Sequence, residues 1–244
     1  MRIEALALRM RPRAPLEAAD LGARLCQSAA PSIYPCYAIA YLPVLALAFA
    51  AFEIAGWLPP FVLFFAKPWL DRTILFVLSR TAFGQPTSLG DLWRARRQVW
   101  WRQWWLTWTW RRLSPWRSFT QPVYQLEGVQ SGRLRQRVRQ IRRRRRGAAL
   151  LMTSAFAIAE TCLALAVVSL LVWFAPADEG LDLVEAFVTG DGTFFQWVSF
   201  VSYAIVIAFL EPFYVAAGFA MYLNRRAELE AWDVEQELRR AFAV

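Results

Sequence analysis

The sequence predicts an all-α, polytopic membrane protein: four transmembrane helices in two hairpins, with amphipathic interfacial and cytoplasmic helices around them. Three observations carry that prediction. Of 244 residues, 57% are hydrophobic and 16% aromatic, against about 45–50% apolar in an ordinary soluble domain. Charge is nonetheless large, with 28 basic side chains against 19 acidic and a net +9. Several apolar runs also reach the about 20 helical residues that a bilayer core requires. Oily and strongly cationic together describe a multi-span protein with a basic cytoplasmic face.

Along the chain, residues 15–29 set Leu16, Ala19, Leu21 and Leu25 against Glu17, Asp20 and Arg24 at helical spacing. They predict an amphipathic helix lying on the membrane surface. Residues 36–57 form the first span. It starts too late, runs too long and lacks the small-residue cleavage site of a signal peptide, so it is expected to stay as a signal anchor. Pro59 and Pro60 break the chain into a hairpin turn. The second span, 60–83, is apolar apart from Lys67, Asp71, Arg72 and Arg80.

Ser88 and Asp91 have the spacing of a helix cap. Residues 87–112 then predict an in-plane interfacial helix. Trp93, Trp100, Trp101, Trp104, Trp105 and Trp108 recur at mostly three- and four-residue steps between Arg and Gln, and indole rings favour the headgroup zone. Residues 113–131 read as a loop. A basic helix over 132–146, with nine Arg from 133 onward, leads into the third span at 147–174. An acidic outer loop (175–194) precedes the fourth span at 195–224. Residues 225–242 predict a cytoplasmic amphipathic helix.

Orientation follows from the bases. Five Arg lie in residues 1–35, seventeen in 80–146 and four in 225–244, all on one side of a four-span chain. The opposite loops carry Glu53, Asp178, Glu179, Asp182, Glu185 and Asp191 and no Lys or Arg. The positive-inside rule places both termini in the cytoplasm of a bacterial inner membrane.

Much chemistry is excluded by composition. With no His at all, a Ser-His-Asp or Cys-His nucleophile and a His-ligated zinc or haem cannot be built. Cys26, Cys36 and Cys162 share no CxxC spacing, so neither a metal knot nor a disulfide framework is expected. No catalytic residue, metal or cofactor is assigned, and the chain is read as no enzyme.

Two groups of residues are candidates for function. The first is inside the membrane, where a charge costs about 2.5–3.5 kcal/mol or more and needs a partner or a purpose. Glu160 lies fourteen residues beyond Arg146, Glu211 fourteen before Arg225, and Lys67 thirteen before Arg80. At about 1.5 Å per residue all three reach one level, roughly 20 Å from the cytoplasmic edge. Lys67, Asp71, Arg72, Glu160 and Glu211 are therefore expected to form one buried polar cluster, with Lys67 and Asp71 paired at i,i+4. Lys67-Pro68 and Glu211-Pro212 also match between the hairpins, a weak internal repeat. The second group is the cytoplasmic surface: Trp100, Trp101, Trp104 and Trp105, with Arg142, Arg143, Arg144, Arg145 and Arg146. Placed against a membrane span, these point to anionic lipid headgroups or protein partners. Neither nucleic acid nor a small-molecule substrate is implied.

Two passages carry a resemblance. KPWLDRTILFVLSRTAFG (67–84) with LTWTWRRLSPWRSFTQPVYQLEG (106–128) is one, and EPFYVAAGFAMYLNRRAELEAWDVEQELRR (211–240) the other. Together they resemble a family of proteobacterial inner-membrane proteins. The second passage is also similar to the membrane domain attached to some glycerophosphoryl diester phosphodiesterases. Members of that family are often encoded beside an AAA-type ATPase, a von Willebrand-like protein and a transglutaminase-like membrane protein, which implies an envelope or complex-assembly role. The phosphodiesterase catalytic domain needs His and clustered metal-binding carboxylates that this chain lacks, so the resemblance implies no phosphodiesterase activity. The expected function is a non-catalytic membrane subunit or scaffold of an envelope complex. The alternative is a small transporter or proton-linked channel built on Lys67, Glu160 and Glu211.

Overall fold

Residues 13–101, 114–128, 131–174, 185 and 192–230 are described by a computed structural model of the chain. Among them there are helices and no strand. The helices are α1 (Pro15–Ala50), α2 (Leu58–Thr81), α3 (Leu89–Arg96), α4 (Arg117–Leu126), α5 (Ser131–Arg142), α6 (Arg146–Trp173) and α7 (Thr193–Glu230). A short tight turn, Ala51–Glu53, follows α1, and a wide helical turn, Arg97–Trp101, extends α3.

Three helices are long and apolar enough to cross a membrane, within Pro15–Glu53, Arg146–Leu170 and Phe195–Glu230. The expected surface helix at 15–29 is not separate from the first span: both belong to the 36 unbroken residues of α1. Pro15 opens that helix, and Pro31, Pro35 and Pro43 lie within it. Interior prolines are tolerated in apolar helices whose neighbours resupply the lost backbone bonds. Pro59 and Pro60 likewise do not form the turn but sit in the first turn of α2, where an imide nitrogen loses nothing. The turn is residues 51–57, ahead of them.

α1 and α7 pack antiparallel along their whole length. Asn224 bonds both the backbone N–H and the carbonyl of Arg13 at 3.0 Å, and the Tyr41 hydroxyl donates to the Ala204 carbonyl at 2.7 Å. Near the turn, Phe52 stacks on Trp197 at 4.0 Å between ring centroids. Close approach is bought by small residues. Gly22 lies directly on the Ala216 and Ala217 backbone, where a Cβ would overlap it. Gly218 meets Ser118 of α4 in the same way.

The expected loop at 113–131 is instead largely α4, and it is a core helix: Phe119 and Val123 are fully buried. The expected interfacial helix at 87–112 is described over 87–101 and is helical from Leu89 to Trp101. α3 starts where Arg80 faces Asp91 at 3.6 Å and descends along α2 until Trp100 Nε1 donates to Thr73 Oγ1 at 2.9 Å. Its start is the expected one: Ser88 and Asp91 bond each other's backbone N–H in a capping box. α4 ascends again beside α2 and α7. Gln121 donates to the Pro68 carbonyl at 3.1 Å, Gln125 to the Arg72 carbonyl at 2.8 Å, and the Tyr222 hydroxyl to Glu127 at 2.8 Å.

α7 carries on through the expected break at 225 to Glu230. Trp104, Trp105, most of the acidic loop and residues 231–242 of the last amphipathic helix lie outside the described residues.

Candidate functional site

The charges expected inside the membrane converge where α2, α4, α6 and α7 meet. Lys67 Nζ lies 2.5 Å from Glu160 Oε2 and 3.1 Å from Glu211 Oε2. Arg117 Nη2 takes the other oxygen of Glu211 at 2.5 Å, while its Nε faces Asp71 Oδ2 at 2.9 Å. Glu211 is therefore the hub, holding one cation on each carboxylate oxygen. Tyrosine rings close the sides: Lys67 sits 5.6 Å from the Tyr203 centroid and Arg117 5.1 Å from that of Tyr214. Both cations gain from the ring faces as well as from the carboxylates.

Four of the five expected members come together: Lys67, Asp71, Glu160 and Glu211. Arg72 does not join them. Its guanidinium lies beside Gln121, Tyr124 and Gln125 and donates to the Gln98 carbonyl at 3.0 Å. Nor is Asp71 the ion-pair partner of Lys67. Arg117 takes that place, supplied by α4. Its signal was present: Arg117, Gln121 and Gln125 stand four residues apart, a polar stripe opposite the apolar Phe119, Val123 and Leu126. Each member of that stripe bonds α2 or α7.

Lys67, Asp71, Arg117 and Glu211 are all at least 95% buried, whereas the Glu160 side chain keeps 22% of its surface. Glu160 faces a cleft of about 410 Å³ whose wall also includes Lys67, Arg117, Thr153, Tyr203 and Glu211. Two cations against three carboxylates leave one negative charge in excess if all are ionised. Burying such charges is costly, and only mutual pairing with good geometry repays it.

The second candidate group splits. Trp100 is half-buried and committed to α2, its indole on Thr73 and its carbonyl accepting from Trp69 at 3.3 Å; Trp101 is 66% exposed. Arg142 stacks on Trp116 at 3.7 Å from the ring centroid. Burial, with the nearby Arg146 cation, holds its guanidinium below its ordinary pKa. Arg145 pairs with Glu228 at 2.6 Å. Arg143, Arg144 and Arg146 are exposed. All the described bases of α3 and α5, with Arg13, Arg80, Arg225 and Arg226, lie at one end of the bundle, together with Arg13 and Glu230 at the limits of the described chain. No Lys or Arg lies at the other end among the described residues.

Among the described residues no group of His, Cys, Asp or Glu is placed to hold a metal ion, and Cys26, Cys36 and Cys162 are free thiols. The chain matches no family model, no curated protein and no solved structure.

Proposed function

We propose that the protein is a non-catalytic, four-span scaffold of a bacterial inner membrane, with both termini in the cytoplasm, that recruits protein partners or anionic lipid through its basic end. One observation carries the reading: the internal charges pair with one another, two cations among three carboxylates, while the exposed guanidinium groups of Arg143, Arg144 and Arg146 collect at a single end. In this reading α2 is the fourth span. Its 24 residues are long enough for a crossing of about 30 Å. Its Lys67 and Asp71 pair with α4, α6 and α7, and its Arg72 and Arg80 meet the α3 segment. α4 becomes a re-entrant arm, tolerable at depth because α2 and α7 enclose it. The resemblance to proteobacterial inner-membrane proteins is part of the same proposal.

Cysteine labelling tests the topology: residues introduced at 143 and at 55 should label from opposite faces of the membrane. Purification from the native host in mild detergent tests the role. A stoichiometric partner lost on Arg143→Glu with Arg144→Glu is expected; a monodisperse protein with no partner and no lipid preference would overturn it.

A second reading, a small transporter or proton-linked channel, draws on the cleft that reaches Lys67 and Glu160. It predicts pH-dependent flux in proteoliposomes that Glu160→Gln abolishes.

A further inference from the structure

The junction between α5 and α6 contains a second concavity, at the basic end. α5 stops at Arg142 and α6 starts at Arg146. Arg144 between them takes a positive φ of 64°, a left-handed conformation that disfavours any residue with a Cβ and that glycine adopts freely. The turn sets Arg143 and Arg144 over a cleft of about 490 Å³ whose remaining wall is Arg137, Gln140, Arg225 and Leu229.

The four guanidinium groups differ in kind. Arg137 is fixed by Glu127 at 2.8 Å and by Glu230, and these carboxylates, against the effect of burial, hold it above its ordinary pKa. Arg225 is fixed by Glu228 at 2.7 Å, yet its Nε is buried with no hydrogen-bond partner. Arg143 and Arg144 are exposed and have no carboxylate partner among the described residues. Two held cations, an unsatisfied N–H and two free cations on a strained turn make a preorganised site for oxygen anions. Guanidinium forks match phosphate oxygens in geometry and charge, and a left-handed arginine at a site of this kind is strain kept where binding uses it.

We infer that this cleft binds a phosphate group, either the headgroup phosphate of an anionic lipid or a soluble phosphate. It rests on the reading of the basic end as the binding end and names the ligand of that end. Basic pockets beside membrane helices are a recurrent means of holding lipid phosphate.

The test uses the purified full chain. Its melting temperature is measured in detergent with and without inorganic pyrophosphate, and in nanodiscs of phosphatidylcholine with and without phosphatidylglycerol. A rise with phosphatidylglycerol alone assigns lipid phosphate, and a rise with pyrophosphate assigns soluble phosphate. In either case Arg143→Ala and Arg144→Ala should each weaken apparent affinity about fivefold. Arg133→Ala and Arg135→Ala, which remove the same charge from α5 outside the cleft, should not. Arg144→Gly should leave the ligand-free melting temperature unchanged or higher while losing the same affinity. No rise with either probe overturns the inference, as does equal weakening by the Arg133 and Arg135 variants, or full affinity in Arg144→Gly. A cleft that binds no phosphate in a protein that still retains its partner defeats this inference alone. Phosphate binding without any partner defeats the protein-recruitment arm alone.

Discussion

The two ends of the bundle are held together by different physics. Toward the Ala51–Glu53 turn, α1 and α7 meet through rings: Phe52 on Trp197, and Phe49 edge-on to Phe200 at 5.1 Å. No ion pair among the described residues lies there. Large apolar side chains face outward along the same stretch, at Leu42 and Leu47 of α1 and Val201, Ile205 and Phe209 of α7. From Glu211 onward the same α7 is buried almost continuously, wrapped by α1, α4 and α6, and its Glu211, Tyr222 and Asn224 meet Arg117, Glu127 and the Arg13 backbone. Dispersion is non-specific, so ring packing tolerates change. A buried ion pair does not, because losing one partner strands the other. The outer half should therefore absorb mutations that the inner half cannot.

That contrast is easiest to break at its hub. Glu211→Leu removes one ion pair from Lys67, leaving it Glu160, and one from Arg117, leaving it Asp71, and should cost about 3–5 kcal/mol, read as lost folded yield in detergent. A wild-type melting temperature would remove the basis of the comparison. Arg117→Met should cost more than Arg72→Met, since Arg117 serves two carboxylates and Arg72 donates to a carbonyl. The reverse order in thermal melts would mean that the network is closed by the other arginine. Gly218→Ala forces a methyl into Ser118 and should cost about 1–3 kcal/mol, with Gly132→Ala, which meets nothing, as the silent control. At the aromatic end, Phe52→Ala removes a half-exposed ring and should cost only about 1 kcal/mol.

The smallest effect is a pH dependence. The Ser88 backbone N–H, together with the Ser88 hydroxyl, holds the Asp91 carboxyl below the usual carboxylate range, with Arg80 and Arg94 assisting. A depressed folded-state pKa means the cap contributes fully at neutral pH and is lost as pH falls through that lowered value. The protection factors of the α3 amides, taken relative to intrinsic exchange at each pH, should fall on acidification, and Asp91→Asn should flatten that response. An unchanged profile in Asp91→Asn would show that the cap does not govern the start of α3.

What was readable in advance depended on how local each cause was. The capping box at Ser88 needs only four consecutive residues, and it formed as expected. The level shared by Lys67, Glu160 and Glu211 needs only the rise of a helix counted from a charged end. The helix runs unbroken through 29–36, between the two segments that periodicity separates, because α7 packs along it and carries Pro31 and Pro35 within it. α4 was misread because Pro122 and the surrounding polar residues suggest a loop in water. Buried between α2 and α7, those same polar groups find the Pro68 and Arg72 carbonyls.

The chain by itself determined that it is helical, that it has helices fit to cross a membrane, and that its bases gather at one end. Composition and a fixed rise per residue decide these things without reference to neighbours. Which arginine completes the buried network was decided only in three dimensions. Arg72 and Arg117 are equally charged, and the choice between them depends on which face of α2 packs against α7, a matter of contacts between residues far apart in the sequence.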